Sequence, residues 1–512
     1  MEIPGPDRPA AVNPSLWMAT SEWPDFPPLS ADISLRALVV GSGITGLTAA
    51  RLLAGEGIEV GVIDSGRLCS GVTGFTTAKL SALQSTVYTE LSEAWGDEVA
   101  MAYASSNLWA IDQVRRLVAE DGIDCDLQDE PAYTYAESPE GLGRIEAEVD
   151  AAGRAGLDVS FSDETDLPFD VAGAVRLANQ ARFHPRRYCR GLLEATMERG
   201  GVVFENTRAL SLDPDAGTVV TDRGTVTADL VIVATHLPFG NLGGYFARTS
   251  VSRSYAVAFA QGSHPLEGMY ISVDEPIRSL RSTRDGYTIV GGENHPVGED
   301  EDTTRRYRAL EDWCRERFGS GPVEHRWSAQ DYRSVDGLPF IGPLGSSGTS
   351  YLATGFAKWG MTNGTVAGSI MVDLALGRDN PWAEVFDSRR VAAKQTLSDT
   401  LKVNAKVAKH FVGDRLTSSS LSASSLPGPG RGEVVSHDGE RVAVFQSEEG
   451  HARALSPFCT HLGCVVGFNT AEQTWDCPCH GSRFDLDGRV IHGPAVEDLA
   501  PVMVGADEEP TD

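Results

Sequence analysis

Apolar and polar residues alternate along the chain in a way that predicts strands joined by helices. Leu35–Val40 is apolar except for Arg36, which indicates a short buried strand. A glycine-rich turn over 41–46 follows it, then a helical pattern to about Gly55 and a second strand over 57–64. Residues 229–235 form another unbroken apolar strand of the kind found in parallel sheets covered on both faces. These elements predict an α/β sheet.

The remaining pattern divides the chain into a large body, a linker and a small β module. Helices are predicted over 86–121, 186–200 and 355–377, a hairpin over 218–226, and strands over 250–295. A polar helix over 388–416 precedes Thr417–Gly432, a Ser/Pro/Gly-rich linker. The segment after the linker shows short strands and turns without a helix. In the leader, Trp17, Trp23 and Phe26 are expected to pack on the body.

Composition and charge exclude several classes of function. The 512 residues contain 43 Lys and Arg against 72 Asp and Glu, a net charge of −29. Such a surface repels phosphate backbones and anionic lipids, so nucleic-acid binding is not expected. The chain has neither an apolar run of the ~18–20 residues that span a bilayer nor a basic, apolar signal at its start. A cytoplasmic protein without a membrane span is therefore expected.

Half of the eight cysteines lie close together after the linker, with histidines between them. Cys459 and His461 share one loop, and Cys477 and His480 share another. Two thiolates and two imidazoles are the ligands of a [2Fe–2S] cluster in which each residue type holds one iron. A zinc site with the same four ligands is the alternative, but zinc fingers rarely use these two spacings.

The segment from Pro427 to Val504 resembles the Rieske fold of the cytochrome-bc type, including Gly493-Pro494-Ala495 as its third loop. The resemblance implies a disulfide between Cys464 and Cys479. It also implies that Ser482 donates a hydrogen bond to a cluster sulfur. Phe484 stands where high-potential members have a tyrosine, so we predict a lower reduction potential here.

The first strand, turn and helix carry a dinucleotide fingerprint. Gly41, Gly43 and Gly46 allow the backbone to approach a pyrophosphate at the helix N-terminus, and Asp64 ends the next strand, where it can bind ribose hydroxyls. The fingerprint alone does not separate NAD from FAD. No second fingerprint follows a strand, so a tightly bound NAD partner is not supported.

The order of later motifs resembles the glycine/D-amino acid oxidase-like flavoproteins over residues 33–385. The motifs are Gly71–Lys79, the strand ending in Ala234, Asp336–Gly342 and Gly355–Gly364. The resemblance implies FAD and an α/β FAD-binding domain of Rossmann-like type, with an interleaved α+β substrate domain and a small all-β Rieske domain. Further cofactor-binding residues implied by it are Ile44, Thr45, Ser65, Thr73, Thr76, Thr77, Lys79, Val203, Ala234, Gly355, Gly360, Met361 and Thr362.

Domain boundaries follow from the same resemblance. They are a leader over 1–32; an FAD-binding domain over 33–84, 176–245 and 331–386; a substrate domain over 85–175 and 246–330; a helix and linker over 387–426; and a Rieske domain over 427–512.

Together the two halves resemble bacterial flavin-dependent oxidoreductases that carry a C-terminal Rieske domain. The resemblance implies oxidation of an amine or amino acid C–N bond, with electrons passing singly through the cluster to an external acceptor protein. Lys358 is a candidate cation beside the flavin, and Arg281 a candidate anchor for a substrate carboxylate.

Three other functions compete with this hypothesis. Electrons from a ferredoxin or reductase could enter at the cluster and reduce the flavin for a reductase or monooxygenase reaction. A Rieske-type oxygenase would need two histidines and a carboxylate on one iron, and no pair of the remaining histidines has that motif's close spacing. A redox sensor or carrier would leave the large substrate domain without a purpose.

Overall fold

A computed structural model describes residues 13–260, 262, 265–300, 302–390, 426–437 and 439–502. Most of the predicted polar helix over 388–416 and most of the predicted linker lie outside these residues. The helices are α1 (Leu16–Ala19), α2 (Ile44–Gly55), α3 (Val87–Trp95), α4 (Asp97–Asp121), α5 (Pro139–Arg154), α6 (Pro185–Glu198), α7 (Thr304–Phe318), α8 (Gly360–Ala375) and α9 (Ala383–Phe386).

The first sheet contains the predicted buried strands. Its strands are β1 (Ile33–Val40), β2 (Val60–Ile63), β7 (Val202–Phe204), β8 (Ala209–Asp213), β9 (Thr218–Thr221), β10 (Gly224–Val233), β16 (Phe340–Leu344) and β17 (Ser350–Thr354). The order β17-β10-β1-β2-β7 is parallel throughout, and β16 pairs antiparallel with β17. The predicted hairpin is confirmed, since β9 and β10 pair antiparallel.

Helix α2 lies against α8, and two glycines allow the close crossing. A Cβ at Gly364 would lie 2.6 Å from Thr45 Oγ1, and one at Gly368 would lie 3.0 Å from a Thr48 carbon. The two helices therefore bring the Gly-rich turn after β1 and the turn before α8 to the same end of the sheet.

The second sheet forms the other half of the body. Its strands are β3 (Lys79–Leu80), β4 (Gln128–Ala136), β5 (Val159–Ser162), β6 (Gly173–Arg182), β11 (Thr249–Ala260), β12 (Met269–Ser272), β13 (Arg278–Ser282), β14 (Tyr287–Pro296) and β15 (Val323–Ser334). Their order is β15-β11-β14-β13-β12-β4-β6-β3, with β5 beside β6.

This sheet differs from the predicted domain boundaries at three places. The strand β6 begins before residue 176 and belongs here, because it pairs with β4 from Gly173 to Arg182. The strand β3 pairs with β6, although residues up to 84 were predicted in the FAD-binding domain. The strand β15 continues across the predicted boundary at 330, because it pairs with β11 as far as Ser334.

The C-terminal module is all β within its described residues, as predicted. One sheet holds β18 (Arg431–His437), β19 (Glu440–Gln446) and β20 (Ala452–Leu455), and a second holds β21 (Gly467–Asn469), β22 (Thr474–Asp476), β23 (Arg483–Phe484) and β24 (Val490–His492). Trp475 and Phe484 are fully buried in its core.

The leader packs on the body, as the sequence predicts. Trp17 is buried, and its indole Nε1 donates to the Thr76 carbonyl at 2.6 Å. Trp23 and Phe26 are partly buried against the same core. The leader therefore braces the loop that precedes β3.

Candidate active site and metal centre

A cavity of about 660 Å³ lies between the two sheets of the body and the C-terminal module. Its volume is in the range of small-molecule and cofactor sites. Its walls come from the turn after β1, the end of β2, the loop before β3, the end of β10, the turn before α8, and residues 491–493, 495 and 496 of the C-terminal module.

The turn after β1 has the geometry of a phosphate cradle. Gly41 has φ +102°, and a Cβ there would lie 2.5 Å from the Ala234 carbonyl oxygen. Gly43 caps α2 without a side chain, so the first N–H groups of that helix face the cavity. One of them, on Ile44, donates to Thr73 Oγ1 at 3.1 Å. The remaining donors and the helix dipole suit an anion.

Asp64 is held at the end of β2 by three hydrogen bonds. Its Oδ2 accepts from the Ser42 N–H at 2.9 Å and from the Ser42 hydroxyl at 2.6 Å. Its Oδ1 accepts from the Gly66 N–H at 3.0 Å. The half-buried carboxylate lines the cavity and is positioned to accept from ribose hydroxyls.

Most of the predicted cofactor-binding residues line this cavity. They are Gly41, Gly43, Ile44, Thr45, Asp64, Ser65, Thr73, Thr76, Thr77, Lys79, Ala234, Gly360 and Met361.

Four predicted cofactor-binding residues lie behind the cavity wall among the described residues. Gly46 is a packing glycine, because a Cβ there would lie 2.0 Å from the Gly41 carbonyl oxygen. Val203 lies on β7, at the far edge of the parallel strands. Gly355 forms the turn after β17 with φ +80°. Thr362 is buried and accepts from Gln84 Nε2 at 3.1 Å.

Two lysines face the cavity from opposite sides. Lys358 projects into the open cavity from a left-handed backbone, φ 74°. Desolvation by the surrounding protein lowers the pKa of its ammonium group, while Asp331 and Glu275 oppose that shift. Lys79 is buried and donates to the Tyr270 carbonyl. Burial, with the charge of Arg281, holds the pKa of Lys79 well below its usual range.

Arg281, predicted as a carboxylate anchor, is placed differently by the structure. It is buried, it does not border the cavity within the described chain, and its guanidinium donates to the carbonyls of Ala78 and Phe183. It also lies over the Trp17 ring, 5.2 Å from the centroid. Burial, then Arg182, lowers the pKa of Arg281 to about 9. Its side chain braces β13 against neighbouring loops, because the register of β13 directs it into the protein.

The C-terminal module brings the four predicted metal ligands together. The thiols of Cys459 and Cys477 are buried and in hydrogen-bond contact with each other. The rings of His461 and His480 are perpendicular, with centroids 5.0 Å apart. Nδ1 of each histidine is buried without a hydrogen-bond partner in the described part of the chain. Two buried orphan nitrogens on the same two loops as two buried thiols fit a metal cluster that accepts both lone pairs.

The predicted disulfide between Cys464 and Cys479 is present, with Cα atoms 6.5 Å apart. It joins the two ligand loops. The Sγ atoms of both cysteines also lie within 4.8 Å of the Cys477 sulfur. Because a disulfide removes two of these three thiols as ligands, that trio is not a metal site.

Two neighbours of the ligand loops match their predicted positions. The Ser482 hydroxyl accepts from the Ala495 N–H at 3.0 Å and lies in hydrogen-bond contact with the Cys459 thiol. Phe484 is fully buried on β23.

The body holds the C-terminal module through buried polar contacts. Arg253 and Asp476 form an ion pair at 3.2 Å in which both side chains are almost fully buried. Tyr332 donates from its hydroxyl to the His480 carbonyl at 3.1 Å, and Gln330 Nε2 donates to the Gly481 carbonyl at 2.7 Å. The strand β15 therefore connects one ligand loop directly with the cavity wall.

The body also covers the two predicted histidine ligands. The Phe246 ring lies edge-on to both imidazoles, 5.0 Å from His461 and 4.9 Å from His480. Asn241 Oδ1 lies 3.1 Å from His461 Nε2. With Nε2 bonded in this way, His461 presents Nδ1 as its free nitrogen.

At three points the module and the body touch through glycine backbone. A Cβ at Gly298 would lie 2.9 Å from the Pro478 nitrogen, and one at Gly467 would lie 2.8 Å from the Gly298 oxygen. A Cβ at Gly481 would lie 2.5 Å from Gln330 Nε2. These approaches leave no room for a side chain.

Three residues in the cavity wall escape prediction from the sequence. Nε2 of His236 lies 2.9 Å from Asp331 Oδ1, and its Nδ1 lies 3.4 Å from Nε2 of His492. These residues come from the end of β10, from β15 and from β24. Each is a lone polar residue without a local motif, so only the tertiary structure reveals the set.

Comparison with known families gives two matches. Residues 36–374 match the family of FAD dependent oxidoreductases. Residues 420–503 match the Rieske [2Fe-2S] domain. Among the described residues, no helix has both the length and the apolar character needed to cross a membrane.

Two curated relatives are iron-sulfur proteins, one aligned along nearly the whole chain and one along part of it. The chain is 34% identical over 498 residues to the putative Rieske 2Fe-2S iron-sulfur protein YhfW of Bacillus subtilis. The alignment covers 95% of this chain and 97% of that protein. The chain is also 35% identical over 156 residues to the cytochrome b6-f complex iron-sulfur subunit of Synechococcus elongatus, covering 29% of this chain and 76% of the subunit.

Solved structures similar to this fold include two enzymes of amino acid oxidation. Glycine oxidase from Bacillus cereus superposes with a TM-score of 0.59 at 18% identity, over 70% of this chain and 100% of that one. L-proline dehydrogenase from P. horikoshii superposes with a TM-score of 0.58 at 18% identity, over 71% of this chain and 98% of that one. At this identity the likeness establishes the fold.

Proposed function

The chain belongs to the FAD-dependent oxidoreductases and carries a C-terminal Rieske domain, and we propose that it oxidises the C–N bond of an amine or amino acid and passes the electrons singly through its cluster to an external acceptor. When bound, FAD takes up two electrons together, whereas a [2Fe–2S] cluster carries one at a time. The amine or amino acid class is supported by two enzymes of similar structure, glycine oxidase and L-proline dehydrogenase.

The observation that carries this proposal is the shared cavity. Its wall contains the dinucleotide turn at Gly41, Lys358 before α8, and the third loop of the Rieske domain around Gly493. A second link runs along β15, where Tyr332 donates to the His480 carbonyl and accepts from the Ala357 N–H through its own carbonyl. The strand β15 therefore borders both the cavity and a loop that would hold the cluster.

The turn after β1 and its neighbours fit FAD. We assign the pyrophosphate to the N–H groups at the start of α2 and the ribose hydroxyls to Asp64. Lys358 provides a positive charge that favours the reduced, anionic form of the cofactor.

The four ligand residues fit the cluster. Cys459 and Cys477 supply two thiolates, and Nδ1 of His461 and of His480 supply the imidazole donors. Asn241, bonded to His461 Nε2, fixes the orientation of that ring.

The reaction balances with two equivalents of an external one-electron acceptor. Oxidation breaks a C–H bond and an N–H bond of the substrate and forms a C=N bond, which releases two electrons and two protons. The electrons leave to a one-electron acceptor protein, and water hydrolyses the imine. The cavity's role is to bury the reacting carbon beside the cofactor and exclude bulk water.

Anaerobic absorption and electron paramagnetic resonance (EPR) spectra of the holoenzyme test this proposal with a panel of amines and amino acids. We expect at least one substrate to bleach the flavin and then produce the EPR signal of the reduced cluster. If no amine or amino acid bleaches the flavin but a reduced ferredoxin does, electrons run in the opposite direction and the proposal is wrong. A protein that binds one zinc ion and no iron would also overturn it.

A further inference from the structure

Asp331, His236 and His492 form a continuous hydrogen-bonded row along the cavity wall. His236 stands between the other two, with Nε2 on the Asp331 carboxylate and Nδ1 on His492 Nε2. All three line the cavity. Asp331 and His236 belong to the body, whereas His492 belongs to the Rieske domain, so the row crosses the junction between the two.

The backbone at His236 indicates that this placement is enforced. His236 has φ 69°, a left-handed conformation that is costly for a residue with a Cβ. The Thr354 hydroxyl donates to the His236 carbonyl at 2.6 Å and holds the segment in place. The structure thus retains strain at the residue that joins the carboxylate to the second imidazole.

The arrangement does not suit a metal ion. A metal needs ligand atoms that converge on one point, but His236 uses its two nitrogens in opposite directions. In the described chain the three side chains do not form a group with converging ligand atoms. A row of this kind suits proton transfer instead.

We propose that His492 receives a proton from the cavity and passes it to His236, where the Asp331 carboxylate stabilises the resulting imidazolium. This inference rests on the proposed oxidation, which must release protons as electrons leave through the cluster. It makes His492 and His236 a proton relay shared by the two domains, with Asp331 as the positioning residue.

The protonation states follow from the hydrogen bonds. An ionised Asp331 accepts the proton on His236 Nε2, so Nδ1 of neutral His236 is the bare nitrogen and accepts from His492 Nε2–H. When His492 Nδ1 takes a proton, its Nε2 proton moves to His236 Nδ1. One proton enters at His492 and one positive charge appears on His236.

The charges around the row favour that direction of transfer. Burial, then the charges of His236, Arg483 and Arg253, hold the pKa of His492 well below its usual range, and Asp476 only partly opposes them. A proton is therefore unstable on His492. His236 has a carboxylate partner, and Asp331 Oδ2 has no hydrogen-bond partner among the described residues.

Two further groups border the row. Lys358 interacts electrostatically with Asp331 from the turn before α8. The Tyr332 ring lies edge-on to His236, 4.7 Å between centroids, and stacks on His492 at 6.3 Å.

The electron and proton balance of this step is simple. Of the two protons released by C–N oxidation, one is held on His236 while the two electrons pass to the acceptor, and it then leaves to water. The other departs with the product or directly to solvent.

The test uses chemically reduced holoenzyme, so it does not depend on any amine. Reduced protein, freed of excess reductant, is mixed anaerobically with ferricyanide, and flavin reoxidation is followed between about pH 5.5 and 9 in H₂O and in D₂O. For the native protein we expect slower reoxidation in D₂O than in H₂O, and a rate that rises with pH because proton release through the row becomes more favourable as the proton concentration of the solvent falls.

Single substitutions then separate the roles. We expect His236→Gln and His492→Gln each to slow reoxidation at least about tenfold and to flatten its pH profile, since glutamine keeps a hydrogen bond but cannot carry the proton. Asp331→Asn should retain the profile and move its midpoint to lower pH, because the imidazolium loses its counter-charge.

The matched control is His325→Gln, which changes a half-buried histidine of β15 that does not line the cavity. It should leave the rate and the pH profile unchanged. Flavin absorbance and the cluster's EPR signal show whether each variant retains both groups. If a glutamine variant loses the flavin or the cluster, the midpoint shift of Asp331→Asn tests the relay instead.

Native rates and pH profiles in His236→Gln and His492→Gln, or an unmoved midpoint in Asp331→Asn, overturn the relay. If only the proposed amine oxidation is wrong, reoxidation by ferricyanide would still depend on His236, His492 and Asp331, so the two failures can be distinguished.

Discussion

The buried side chain of Phe484 provides a test of the potential predicted for the cluster. By the resemblance of this segment to Rieske proteins, Phe484 is expected to stand where high-potential members have a tyrosine, and it has no hydroxyl to donate. We predict that Phe484→Tyr raises the reduction potential of the cluster by roughly 60 mV, since one hydrogen bond to a charged group contributes about 1.4 kcal/mol. A redox titration monitored by EPR measures the shift.

The control for that titration is Phe468→Tyr. Phe468 lies on β21 in the same module, where its ring packs on Trp475 and Phe445. Its substitution should leave the potential unchanged. An equal shift in both variants would contradict the role given to Phe484.

Substitutions of Arg281 and Lys358 are expected to affect different properties, stability for Arg281 and catalysis for Lys358. Arg281→Met removes the donors that satisfy the buried carbonyls of Ala78 and Phe183, so we expect the free energy of unfolding to fall by about 2–4 kcal/mol. Lys358→Met should change it by less than about 0.5 kcal/mol. Lys358→Met should instead slow substrate-dependent flavin reduction at least about tenfold.

Urea unfolding followed by tryptophan fluorescence, beside stopped-flow flavin reduction, distinguishes the two residues. A stable Arg281→Met variant with weakened substrate binding would restore its predicted role as an anchor.

Local motifs explain which site residues could be predicted from the sequence. Cys459 and His461, two residues apart on one loop, must lie close together in any fold, and so must Gly41 and Gly43. Arg281 could not be placed, because its direction depends on the register of β13 against its neighbours. His236 and His492 meet only across two domains.

Among the helices, α6 begins at a histidine that links it to the leader. His184 Nδ1 accepts from the Arg187 N–H at 3.3 Å, and its Nε2 lies 3.1 Å from Thr20 Oγ1. Burial, with the charges of Arg187 and Arg281, lowers the pKa of His184 to about 3. The folded protein therefore holds the neutral ring, whereas the unfolded chain protonates near pH 6.5.

This difference predicts a loss of stability in acid. Because the folded pKa is depressed, the contribution of His184 is complete above about pH 6.5 and is lost as the pH falls toward about 3, by at most about 1.4 kcal/mol per pH unit. We expect His184→Asn, which keeps a capping side chain but cannot titrate, to flatten the fall in stability between about pH 6.5 and 5.

Urea unfolding at several pH values checks this expectation against His451→Asn, a variant of an exposed histidine. The His451 variant should follow the native pH dependence. If the stability of His184→Asn shows the same pH dependence as that of the native protein, titration of His184 does not contribute to the loss of stability in acid.

Whether the sheet of a strand could be predicted depends on how far apart the paired strands lie in the sequence. The strand β1 and the helix α2 were predicted from an apolar run and a glycine turn, both local features. The sheet that β6 joins was not predicted, because its partner β4 lies on the other side of α5 in the chain. Apolar alternation identifies a strand but not the sheet that it joins.

For the protein as a whole, the cluster should be required for acceptor reduction and dispensable for flavin reduction. We predict that Cys459→Ser, which removes one ligand, retains bleaching of the flavin by substrate and lowers turnover with a one-electron acceptor protein to less than about a tenth. Parallel single-turnover and steady-state assays measure the two steps.

Cys314→Ser is the matched control, since Cys314 is a free, buried thiol of α7 far from the ligand loops in the sequence. It should retain both activities. Undiminished acceptor turnover in Cys459→Ser would show that electrons leave the flavin without passing through the cluster.

The bare backbone contacts at Gly298, Gly467 and Gly481 restrict how this protein can be re-engineered or diversify. Where two domains meet through side chains alone, either one can be exchanged and the seam repacked. At these three points the contact is main chain against main chain or buried amide, so a Rieske domain transplanted from another protein would have to bring glycine at the positions of Gly467 and Gly481, besides a partner for Arg253, before it could seat. The two domains are therefore interchangeable only as a matched pair.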